Sequence, residues 1–170
     1  MYKVSTTLDK VIISKSLYEK GIDGSIVFEK GQLSVKAMNT VTPDLEAFNI
    51  MMKQRTDVYN KNLADEQKAW DSKNGKFEVS AKLSLEREAI HAEAKAEREK
   101  EYVVELSDDR WRALIDVCVN AQKAWYKAIQ DRNACTDTEK QDKIIAPSLN
   151  EFSQFGEFVQ DLESADKVKG

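Results

Sequence analysis

Glu88 and His91 stand three positions apart in a stretch rich in Glu, Ala, Lys and Arg, so on a helix they share one face. A Glu-x-x-His pair of this kind holds metal in di-iron carboxylate bundles, where a second such pair and two further carboxylates complete the centre. His91 is the only histidine of the chain, so one copy lacks the second pair, and a solvated helix face is the preferred reading. His91-Ala-Glu93 also matches the fragment in which zinc deaminases bind the ion through histidine and move protons through glutamate. Its Pro-Cys-x-x-Cys counterpart is missing. Cys118 and Cys135 are well separated, and neither has a second ligand beside it, which disfavours structural zinc. No metal and no cofactor are expected.

Nucleophilic chemistry fares no better. A Cys118–His91 pair is conceivable because spatial neighbours need not be sequence neighbours. Cys118, however, falls on an apolar helix stripe, where an inert buried thiol is the commoner occupant. Gly21 and Gly24 read as turn residues, without a phosphate loop or a nucleophile elbow around them. Carboxylates are abundant, but nothing pairs two of them as acid and base. The sequence therefore names no catalytic residue.

Arg110-Trp111-Arg112 and Trp125-Tyr126-Lys127 interleave cations with aromatics, the arrangement that clamps single-stranded nucleic acid by stacking and charge. Arg110, Arg112 and Lys127 are the candidate phosphate contacts. On a helix the two tryptophans fall on the apolar stripe while these cations point elsewhere, so core tryptophans flanked by solvated charge are preferred.

The elements that would position these residues are mostly helices. Ser107-Asp108-Asp109 after the strand-like Tyr102–Leu106 is a helix start, with Leu106 placed to pack on Trp111 as a hydrophobic staple. Trp111, Leu114, Ile115, Cys118, Gln122, Trp125 and Ile129 then recur at helical spacing and predict the centre of the core. Thr136-x-x-Glu139 and Ser148-x-x-Glu151 match the reciprocal capping pattern and predict two short helices separated at Pro147. The last should bury Leu149, Phe152, Phe155, Val159 and Leu162, with residues 166–170 frayed.

Upstream, Thr42-Pro43-Asp44 predicts the start of a long helix whose face is Leu45, Phe48, Met52, Tyr59, Leu63 and Trp70, stopped by Asn74-Gly75. A second, thinner leg follows over Ser84–Glu101 with Leu83, Ile90 and alanines as its seam, and the alternation Phe77, Val79, Ala81, Leu83 leaves a short strand open before it. The long leg exceeds what a compact chain of this size accommodates, so it is expected to protrude or to be interrupted. The first forty residues read as β-rich. Ser25–Glu29 and Gln32–Met38 flank Lys30-Gly31 as a hairpin, and the echo of Glu19-Lys20-Gly21 in Glu29-Lys30-Gly31 favours a strand meander over a helix for Thr7–Lys20.

Composition sets the remaining bounds. The chain has 170 residues, 41% hydrophobic and 33% charged, with a mean hydropathy of −0.58, values that suit one folded domain. A net charge of −4 and a pI near 5.2, with no strong cationic face, argue against a phosphate-binding surface. No stretch suits a membrane span or a secretory core, and the separated cysteines suggest reduced thiols, so the cytoplasm is the expected location.

The resulting fold is a predominantly helical α+β single domain. It comprises a β-rich part (1–41), a helical hairpin arm (42–101), a strand plus helical core (102–165) and a frayed tail (166–170). The leading functional expectation is a non-enzymatic protein-interaction protein: an adaptor, assembly factor or inhibitor of the kind a phage or mobile element directs at a host complex. Tyr59, Leu63, Trp70 and Ile90 would contact the partner, either another protein or a second copy of the chain. Single-stranded nucleic-acid binding through Arg110, Arg112 and Lys127 is the alternative, followed by an enzyme of unfamiliar design.

Overall fold

The computed structural model describes residues 1–23, 36–71 and 75–168. The expected hairpin at Ser25–Glu29 and Gln32–Met38 lies outside these, except that residues 36–39 form a helical turn and not the end of a strand. The chain is a predominantly helical α+β protein with a small three-stranded antiparallel sheet. It divides into two compact units, Met1–Pro43 with Lys100–Gly170, and Asp44–Glu99. No helix among the described residues is long and apolar enough to cross a membrane.

In the first unit, β1 (Tyr2–Thr7) leads directly into α1 (Leu8–Asp23). The strand meander expected over Thr7–Lys20 is thus a helix. Its buried residues Leu8, Val11, Ser14, Leu17 and Tyr18 recur at steps of three and four, whereas a strand would bury alternate positions; Ile12 is instead exposed. The β-branched Val11-Ile12-Ile13 misleads because helix propensities differ by only tenths of a kcal/mol per residue, less than one buried side chain contributes. The hydroxyl of Ser14 donates to the carbonyl of Lys10 at 2.7 Å, so even this buried polar group is satisfied inside the helix.

The sheet is assembled from distant segments. β1 pairs along its whole length with β2 (Glu101–Leu106), from Tyr2↔Leu106 to Thr7↔Glu101, and on its other side with β3 (Asp166–Lys167). The tail expected to fray therefore contributes a strand, with the Val168 N–H donating to the Met1 carbonyl at 2.9 Å. The strand at Tyr102–Leu106 is found where it was expected, and Ser107 caps α4 (Asp108–Ala134), its hydroxyl accepting from the Arg110 N–H. The buried stripe of α4 is Leu114, Val117, Cys118, Ala121, Trp125 and Ala128.

Two details of the C-terminal helices depart from the sequence reading. Asp137, and not Thr136, caps the short α5 (Thr138–Lys143), its carboxylate accepting from the Glu139 N–H at 3.0 Å. Ser148 and Glu151 do form the reciprocal capping box of α6 (Leu149–Glu163). This helix buries Phe155, Phe158, Val159 and Leu162, while Leu149 is 85% exposed. α6 packs on α1, α4 and β1, and Trp125, Tyr18, Phe155 and Phe158 are the largest side chains of the resulting core.

The second unit is a pair of helices, α2 (Glu46–Asp71) and α3 (Ala81–Glu99), packed along each other. At 1.5 Å per residue α2 is about 39 Å long. It begins at Glu46, three residues after Pro43, the first helical position that Thr42-Pro43-Asp44 suggests. The Asp44 carboxylate accepts from the Glu46 N–H at 3.0 Å, whereas the Thr42 hydroxyl turns back to the Met38 carbonyl. The strand left open over Phe77–Leu83 is absent: residues 76–80 carry no regular structure, and Ala81 already starts α3. Ser80 decides this. Its N–H and hydroxyl both bond the Glu66 carboxylate, at 2.8 and 2.9 Å, and its oxygen accepts from the Leu83 N–H.

Candidate functional site

Among the described residues no group of three or more His, Cys, Asp and Glu could hold a metal ion, and Glu88 and His91 are both exposed on α3. Cys118 is fully buried, and burial pushes its thiol up to about 12, an effect that the nearby Tyr18 hydroxyl only partly offsets. Such a thiol keeps its proton at neutral pH and is out of reach of a substrate. Cys135 is a second free thiol, half-buried, with its Sγ 3.5 Å from the Asp137 carbonyl.

A part-buried polar cluster lies within the first unit. The Asp161 carboxylate accepts from the Thr6 hydroxyl at 2.9 Å and from the Lys10 ammonium at 3.0 Å, tying β1, α1 and α6 together. Both donors meet the same Asp161 oxygen, which makes the cluster a tether between elements.

The aromatic residues of α4 are engaged by the protein. Trp125 is fully buried. The Trp111 ring stacks on Tyr2 at 3.9 Å between centroids, and its indole N–H donates to the Leu162 carbonyl at 2.8 Å. Tyr126 stacks on Phe152, with centroids 6.4 Å apart. Arg110, Arg112 and Lys127 are exposed, but the tryptophans between them serve the core and its rim. Arg110 also borders a hollow of about 190 Å³ with Lys36, Ala37, Thr40 and Ala113.

The helical pair carries the other candidates. Tyr59 is buried, and Leu63, Trp70 and Ile90 are half-buried, each on the same stripe of its helix as the other shielded residues. Trp70 packs edge-on against Phe77 with centroids 6.4 Å apart and donates its indole N–H to the Gly75 carbonyl. A Cβ at position 75 would stand 3.6 Å from the Trp70 ring, so the backbone of Gly75 passes close beside it. Across the pair, Arg55 and Glu93 form an ion pair.

Other apolar side chains of this unit face outward. Ile50, Met51 and Val58 on α2 and Leu85 on α3 are all large, hydrophobic and exposed. Met51 and Val58, seven positions apart and therefore on one face, line a shallow hollow of about 220 Å³ with Gln54, Arg55 and Glu86. Met51 and Val58 lie off the strongest apolar stripe of α2. A second, weaker stripe at the same spacing was the available signal.

No family model matches the chain, and neither a curated protein nor a solved structure is significantly similar to it.

Proposed function

We infer that the protein acts by binding another protein through its helical pair, as an adaptor, assembly factor or inhibitor and not as an enzyme. The observation that carries this reading is the outward apolar set Ile50, Met51, Val58 and Leu85 on a unit whose own buried residues, among those described, are Tyr59 and Leu83. Two helices bury little of each other's surface, and most helical stability in proteins comes from tertiary packing of an apolar face. A third helix or a second pair laid along Met51 and Val58 would cover that face in the helix-in-groove mode. Tyr59, Leu63, Trp70 and Ile90 then hold the platform, and the exposed set makes the contact.

The test is affinity capture from the native host with the full chain and with a Met51→Lys/Val58→Lys double variant, compared by quantitative mass spectrometry. Both substituted positions are exposed, so the variant keeps its helical circular dichroism and melting temperature. The account expects a small set of proteins, or a second copy of the chain, to be depleted at least tenfold. Identical capture by the two chains contradicts it.

A further inference from the structure

We propose that the outer edge of β2 docks an extended polypeptide segment in which two cationic side chains flank an apolar one, at alternate positions. In the strand order β2-β1-β3, β2 is an edge, and among the described residues no strand pairs with its other side. It is six residues long, contains no proline and holds unbroken register with β1. Natural edges are blunted by shortness, bulges, proline or charge, because a straight edge is a template for strand addition, and of these devices β2 carries only the charges of Glu101 and Glu105, which select the strand that can be added.

The side chains of β2 say which segment fits. On the inner face Tyr102 and Val104 are half-buried and Leu106 is buried. The Tyr102 hydroxyl donates to the Val41 carbonyl at 2.7 Å, which fixes the strand from beneath. On the outer face Glu101, Val103 and Glu105 are exposed, with Val103 at 60%. An added antiparallel strand therefore meets a carboxylate, a valine and a carboxylate in turn. Pairing of β2 with a second copy of itself, centred on Val103, sets Glu101 against Glu105 twice, and like charges directly opposite are unfavourable. A segment reading Lys-x-Val-x-Lys is complementary at all three positions. β1 makes one such charge pairing on the other edge of the strand: Lys3 stands opposite Glu105, with its Nζ 3.8 Å from the carboxylate, while Val103 and Glu101 face Ser5 and Thr7.

The probe is a fluorescein-labelled peptide, Ser-Gly-Lys-Thr-Val-Thr-Lys-Gly-Ser, titrated with the full chain at low salt and followed by anisotropy. Its acidic counterpart, with both lysines replaced by glutamate, serves as the control. Saturable binding of the cationic peptide alone is expected, weakening with salt and slowing amide exchange within residues 101–106. Charge reversal in Glu101→Lys/Glu105→Lys should lower the affinity at least tenfold, and Glu101→Gln/Glu105→Gln should lower it by a smaller factor. The second variant keeps the test valid should charge reversal unfold the sheet. Absence of binding, equal binding of the acidic peptide, an unchanged affinity in the glutamine variant or protection outside residues 101–106 would each overturn the proposal.

Discussion

Phe155 and Leu149 lie on the same short helix, and truncating each to alanine separates the observed core from a simple apolar stripe. Phe155 is fully buried and meets Tyr18 edge-on, with ring centroids 6.0 Å apart, whereas Leu149 is 85% exposed. Removing a buried phenylalanine costs about 3–5 kcal/mol through lost transfer energy and the cavity left behind. Substitution at an exposed site costs roughly 0.5 kcal/mol or less. For a chain of this size about 1 kcal/mol corresponds to about 2–4 °C in melting temperature, so Phe155→Ala should melt about 6–20 °C lower while Leu149→Ala stays within about 2 °C. Trp111 and Trp125 lie in the same unit as Phe155, and Trp70 in the other. Urea unfolding followed by tryptophan fluorescence in a Trp70→Phe background therefore reports the relevant transition. A loss below about 1 kcal/mol for Phe155→Ala, or an equal loss for Leu149→Ala, would refute the packing described.

Four further outcomes follow from individual contacts. The Cys118 thiol, held near 12 by burial, stays protonated in the folded chain while the unfolded thiol ionises from about pH 8.5. Its contribution is complete below that pH and is lost as pH rises toward 12, at up to about 1.4 kcal/mol per pH unit; Cys118→Ala should lack this component of the pH–stability curve. Thiol titration of the native protein should modify Cys135 readily and Cys118 only after denaturant is added. Ser148→Ala removes a capping-box partner and should cost about 1 kcal/mol in chemical denaturation. The Ser148 backbone N–H holds the Glu151 carboxyl below its ordinary range, so that residue's contribution persists above the usual glutamate pKa and disappears as pH falls through the lowered one.

Signals confined to a few neighbouring residues were legible in the sequence. Ser107 and Ser148 cap helices where the pattern places them, and the stripe from Leu114 to Trp125 lines the core, because caps and helical faces are set by residues within a few positions of one another. What required partners far along the chain was not. β1 meets β2 about a hundred residues later and β3 later still, and a two-residue strand at Asp166–Lys167 has no local pattern of its own. The β-branched run in α1 suggested a strand until burial at every third or fourth residue outweighed it. Leu149 falls at helical spacing with Phe152, Phe155, Val159 and Leu162, but it is the first residue of α6 and is exposed, so the buried face begins further along the helix. The outward set Met51 and Val58 was hidden by the stronger stripe through Tyr59 on the same helix.

The most direct test of the interaction reading is site-specific photo-crosslinking of the full chain in its native host, with the photoreactive side chain placed at Val58 or at Gln67, which is also exposed on α2. A discrete adduct from position 58, a partner protein or a second copy, with none from position 67, is the predicted result. No adduct from position 58, or the same adducts from both positions, would contradict it.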